Sequence, residues 1–190
     1  NNCWRQSLNK KIIILTMKNK NMRLLGLDPG LRHTGWGIIE SNKDKISWLA
    51  SGNISPKTDD SIAKRLMQIS RGISNIIEQY DPEAVAIEDI FMGKNVQSAL
   101  KLGMARGVAI NTCASLNVSV YQYEATVVKK ATTGFGRANK EQVYSMVKFL
   151  LPGVICKSDD ESDALAVAIC HSQFASSKIN YSELDSNYDS

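Results

Sequence analysis

The sequence predicts an α/β layered domain built on a mixed sheet, and three observations carry that prediction. Short apolar runs separated by turn residues fill positions 23–54. A helix–strand–helix–strand alternation follows to about 123, and helices close the chain. One sheet, one core and one domain are expected, which 190 residues are long enough to build.

The elements follow in order. Leu24-Leu25-Gly26-Leu27 is a buried strand over 23–28 that ends at Asp28 and the turn pair Pro29-Gly30. Thr34-Gly35 leads into a second strand at 36–40. The turn Asn42-Lys43-Asp44 introduces a third at 46–54, so 23–54 reads as an antiparallel meander. From 61 to 79, Ile62, Leu66, Ile69, Ile73, Ile76 and Ile77 recur at helical spacing, and Asp81-Pro82 stops that helix. Ala84-Val85-Ala86-Ile87 is a fourth strand, ended by Glu88. A long helix over about 95–116 is rich in small residues, Ala99, Gly103, Ala105, Gly107 and Ala109. A fifth strand spans 118–123. Short helices near 125–131 and 139–150 flank a glycine-containing loop at 132–137, and the last helix runs from 159 to 175.

Charge is unevenly spread. Residues 1–21 hold five of the 23 basic residues and no acid, leaving 18 basic against 19 acidic residues in the remainder. The opening segment is read as a disordered basic extension, a tail or upstream read-through, with a mitochondrial-type leader as its rival. Residues 22–175 are the folded domain, and 176–190 form a polar, acidic tail. No run approaches the roughly 20 apolar residues of a membrane span, so a cytoplasmic protein is expected. Cys3, Cys113, Cys156 and Cys170 show no C-x-x-C pairing, and neither His33 nor His171 falls at zinc-ligand spacing from a cysteine. Reduced, buried thiols and structural histidines are expected.

Four acids stand where a fold would aim them at one point: Asp28 and Glu88 at strand exits, Asp160 and Asp163 three residues apart at the start of a helix. Hard carboxylate oxygens suit magnesium, and two such ions can activate water and steady a leaving oxygen. Each acid has an ordinary alternative. Asp28-Pro29-Gly30 serves equally as a tight turn, and Glu88 as a strand-end charge in water. Ser158 with Glu161 fits a capping box, whose acids favour the helix dipole. Asp163 weighs against coincidence, because it abuts Ala164-Leu165-Ala166-Val167 and would be partly desolvated without a ligand.

Between Lys94 and Lys140 lie seven Lys/Arg residues (Lys94, Lys101, Arg106, Lys129, Lys130, Arg137 and Lys140) and one acid, Glu124. This basic belt on a near-neutral domain reads as a phosphate-binding surface, with a merely solvated face as the alternative. Gly103 and Gly107 allow close helix–helix approach, within the fold or across a dimer.

Three motifs together resemble the bacterial RuvC Holliday-junction resolvases. They are L-G-L-D-P-G-x-x-x-T-G-W-G at 25–37, A-I-E-D-I-F-M-G-K-N-V-Q-S-A-L-K-L-G-x-A-R-G at 86–107 and D-E-S-D-A-L-A-V-A-I at 160–169. The resemblance spans about 22–175. It implies an RNase H-like fold with a five-stranded mixed sheet and helices on both faces, and a homodimer. It also implies paired nicks in four-way junction DNA, dependent on two Mg2+ ions or on Mn2+, with RuvA and RuvB as partners. The family's acidic site falls on Asp28, Glu88, Asp160 and Asp163, with Asp28 and Asp163 as central ligands. Lys129 and Lys140 match basic residues that assist cleavage, and Phe91 becomes the candidate wedge at the crossover. Lys94, Arg106, Lys130 and Arg137 are the expected DNA contacts, and loop 132–137 resembles a segment that orders on the junction. Two other readings stand beside this one: an actin-like ATP-handling domain, and a non-catalytic junction-binding module.

Overall fold

The computed structural model describes residues 21–42, 45–89 and 96–176. Five strands form one sheet: β1 (Met22–Asp28), β2 (Thr34–Ser41), β3 (Ile46–Ile54), β4 (Ala84–Glu88) and β5 (Ser119–Tyr123), in the order β3-β2-β1-β4-β5. β1, β2 and β3 make the expected antiparallel meander, with a bulge between Ile38 and Ile39 that sequence spacing does not reveal. β4 pairs in parallel with β1, and β5 with β4.

Helices cover both faces. On one lie α1 (Ile62–Tyr80) and α2 (Val96–Ser115). Helix α1 starts at Ser61, whose hydroxyl accepts the Lys64 amide at 3.4 Å. It ends where Asp81 turns left-handed at φ 47° and returns its N–H to the Ile77 carbonyl, just before Pro82. Ile69, Ile73, Ile76 and Ile77 pack with Leu25, Leu27, Val85 and Ile87 of the central strands. On the other face α5 (Asp159–Ser176) lies between the sheet and the pair α3 (Ala125–Thr133) and α4 (Lys140–Leu150). From Ala164 to Cys170 every residue of α5 is buried, so this helix is apolar all round rather than striped.

The expectation of one core is corrected. β1 and β4 are apolar on both faces, so the sheet separates two clusters, one under α1 and α2 and one around α5. His171 belongs to the second, its Nδ1 2.6 Å from the Tyr123 hydroxyl, in the structural role expected of it. Cys113 and Cys170 are buried and Cys156 half-buried, all three as free thiols. Among the described residues no helix is long and apolar enough to cross a membrane. The expected extension, apart from residue 21, and the tail beyond 176 lie outside the described residues.

Candidate active site

Strand alternation decides which way the first two acids point. Leu24 and Ala86 pack in the cluster around α5, and Gly26 faces Ala164 of that helix. Two residues on from Gly26 and Ala86, Asp28 and Glu88 therefore face α5 as well. The parallel register pairs Leu27 with Ile87, which sets Asp28 and Glu88 side by side at the carboxyl ends of neighbouring strands.

Helix α5 brings the other two. It crosses the sheet so closely that a Cβ on Gly26 would collide with the Ala164 carbonyl, and one on Gly35 with the Asp160 backbone. Gly35 pairs with Asp28 across β1 and β2. Two glycines thus let the first turn of α5 settle beside the end of β1, carrying Asp160 and Asp163 with it.

The electrostatics record the convergence. Burial, followed by repulsion from Asp163, Asp160 and Glu88, pushes the Asp28 carboxyl up to about 7 against the pull of Lys140. Burial and then Asp163 raise Glu88, with Lys129 and Lys140 opposing. Burial raises Asp163 too, against Lys140. Lys140 Nζ lies 3.5 Å from Asp163 Oδ2, and that carboxylate raises the lysine in turn. With the Lys140 side chain 70 % exposed, this pair contributes about 0–1 kcal/mol at most. Two lysines therefore border a cluster of acids that burial and mutual repulsion hold in a costly state.

Among the described residues, no three Asp, Glu, His or Cys side chains close on one point tightly enough to encircle an ion as they stand. The fit to a divalent cation rests on donor chemistry and on charge. All four acids offer hard oxygens, and a 2+ charge among them would offset the burial and the acid–acid repulsion that raise Asp28, Glu88 and Asp163.

The basic belt divides on inspection. Lys130 and Arg137 are exposed, and Lys129 is half-buried. Arg106, expected as a DNA contact, turns inward. Its side chain is 9 % exposed, and its guanidinium donates to the Glu88 carbonyl at 2.6 Å and stands 3.5 Å from the Asp89 carboxylate. It braces the end of β4. Phe91 and Lys94 lie outside the described residues.

The loop after α3 is a hydrogen-bonded turn. Gly134 is left-handed at φ 81°, and Thr133 Oγ1 exchanges bonds with Phe135 N and O, each 3.1 Å. Sequence reasoning missed Glu161 as anything beyond a cap. Its amide does donate to Ser158 Oγ at 3.2 Å, but its carboxylate does not close the box on Ser158. It reaches Ser51 and Asn53 of β3, more than 100 residues earlier in the chain. The one local signal is that those two polar residues share a strand face.

Comparison with known proteins agrees with this geometry. Residues 24–171 match the model of the family described as crossover junction endodeoxyribonuclease RuvC. The chain is 49 % identical over 150 residues to that enzyme from Paramagnetospirillum magneticum, covering 79 % of this chain and 90 % of the relative. It is 39 % identical over 165 residues to the one from Bartonella quintana, covering 87 % and 98 %. Among solved structures it is similar to Thermus thermophilus RuvC in complex with a Holliday junction substrate. The TM-score is 0.77 at 30 % identity, over 82 % of this chain and 95 % of that one. The yeast mitochondrial Holliday junction resolvase Ydc2, at 15 % identity and a TM-score of 0.60, shares the fold.

Proposed function

The chain belongs to the crossover junction endodeoxyribonuclease RuvC family, and we propose that its four gathered acids are the centre at which it cuts. It has the RNase H-like fold of that family and is a Holliday-junction resolvase, an endonuclease that makes paired, symmetric nicks with the help of a divalent metal. The actin-like alternative lapses with the family assignment. The observation that carries the site is that burial, and after it neighbouring acids, raise Asp28, Glu88 and Asp163, bordered by Lys129 and Lys140.

Asp28 and Asp163 are the central ligands in this reading, and Glu88 and Asp160 complete a site for two Mg2+ ions, with Mn2+ able to replace them. Bound there, the ions supply an activated water and a counter-charge for the leaving oxygen. The chain's own residues do the rest. Partial burial keeps bulk water from screening the acids, which strengthens their hold on cations. Lys140, beside Asp163, and Lys129, near Glu88, meet the charge of the scissile phosphate as it develops. Lys130 and Arg137 take flanking phosphates, Lys94 extends that belt, and Phe91 stacks at the crossover.

A homodimer supplies two such centres for two strands, and α2 supports it. Val96 is 78 % and Leu100 60 % exposed, and no described residue lies within 4 Å of a Cβ placed on Gly103 or Gly107. RuvA and RuvB are the proposed partners, and the cytoplasm the proposed site of action.

Single-turnover kinetics on a synthetic four-way junction test the centre. Asp28→Asn and Asp163→Asn are expected to lose about a thousandfold or more in rate while still binding the junction. Lys140→Ala is expected to lose about a hundredfold. Unchanged rates in the Asp variants would refute the assignment.

A further inference from the structure

Glu161 sits between the two acids of α5 in sequence, yet its side chain turns toward β3. It is 2 % exposed. Oε2 accepts from the Ser51 hydroxyl at 3.1 Å and from the Lys157 amide at 3.3 Å, and Oε1 accepts from Asn53 Nδ2 at 3.1 Å. Asn53 Nδ2 also donates to Ser158 Oγ at 2.7 Å, and Trp48 Nε1 donates to Ser51 Oγ at 3.3 Å. Asn53 pairs with Gly35, the residue on which the Asp160 backbone rests. The network therefore ties the first turn of α5 to β3 directly beside the acids.

A buried carboxylate is a costly way to join a helix to a strand, since apolar side chains of similar size do so without desolvating a charge. What the carboxylate supplies is direction. Donors from two elements meet its two oxygens and fix both the height and the rotation of the turn. Rotating a helix by about 10° displaces its side-chain ends by about 1 Å, comparable with the tolerance of a coordination sphere.

We infer that Glu161 is a positioning residue, which through Ser51 and Asn53 fixes the first turn of α5 and so holds Asp160 and Asp163 on the side of Asp28 and Glu88, where a divalent cation would bind. The inference rests on the reading of those four acids as the metal centre.

The test is a titration of Mn2+ into the full chain without DNA, free ion being read by electron paramagnetic resonance. Wild type, Glu161→Gln, Ser51→Ala and Asn53→Ala are compared, each well below its thermal midpoint. Glu161→Gln keeps the volume but sets an amide N–H2 against donors. It is expected to weaken Mn2+ binding about 10- to 100-fold, with smaller losses in the β3 variants. Ser51→Ala added to Glu161→Gln is expected to cost less than the sum of the two. The Mg2+ concentration for half-maximal junction cleavage should rise in parallel, and excess Mg2+ should restore the rate. Lowered thermal midpoints with unchanged Mn2+ affinity would overturn the inference, leaving a network that holds the fold and not the site. Should Glu161→Gln fail to fold, Ser51→Ala and Asn53→Ala decide the matter by the same readout. A wild type that takes up no Mn2+ would instead refute the metal reading of the acids, and this inference with it.

Discussion

At the scale of single residues, the acids carry the testable chemistry. Folded Asp28 titrates at about 7 rather than its ordinary 3.8. Between those values the folded chain holds a proton that the unfolded chain has released. Metal-free stability therefore falls as pH rises through that window, and the penalty is fully relieved only below it. The interval corresponds to at most about 4 kcal/mol, and the raised Glu88 and Asp163 act in the same direction. In chelator, denaturant unfolding of wild type should give lower stability at pH 8 than at pH 5.5. Asp28→Asn should flatten that slope and exceed wild type at pH 8. The four acids were legible in the sequence because each stands at the end of an element, where direction follows from strand or helix geometry. Arg106 and Glu161 were not. Charge along a chain says nothing of which way a side chain points, and the partners that turn these two inward come from distant segments.

At the scale of elements, close packing of α5 on the sheet makes the site possible. Gly35 offers the clearest handle, because a methyl there meets the Asp160 backbone rather than a flexible side chain. Gly35→Ala is expected to destabilise the fold by about 1–3 kcal/mol and to lift the first turn of α5. Cleavage should then fall at least about tenfold, even at temperatures where the variant is fully folded by circular dichroism. Element positions were largely readable, since apolar periodicity and turn residues act locally: β3 spans the expected 46–54, and the bounds of α1 differ from the expectation by one residue. Three features were not local. The bulge at Ile38 and Ile39 answers to cross-strand register, the second hydrophobic cluster to burial of both sheet faces, and the Glu161 contacts to the docking of α5.

At the scale of the whole molecule, a near-neutral domain presents Lys140 beside the acids, exposed Lys130 and Arg137, and an apolar stretch of α2 that no described element covers. Val96, Leu100 and Met104 recur every fourth residue and so form one stripe. If the proposed homodimer forms through this stripe, Leu100→Glu is expected to convert it to a monomer by analytical ultracentrifugation, and to replace paired nicks with single ones. The sequence made this stripe legible only as a run of small residues, since periodicity does not say which apolar face meets the sheet and which stays exposed. In the proposed function, the gathered acids make this chain a metal-dependent, structure-selective nuclease. Its most direct test is incubation of the wild-type chain with an end-labelled four-way junction and with a linear duplex of the same sequence, each in magnesium and in chelator. Symmetric nicks in opposite strands of the junction, in magnesium only and not in the duplex, are the predicted result. Junction binding without nicking in any divalent metal, or equal cutting of the duplex, would contradict it.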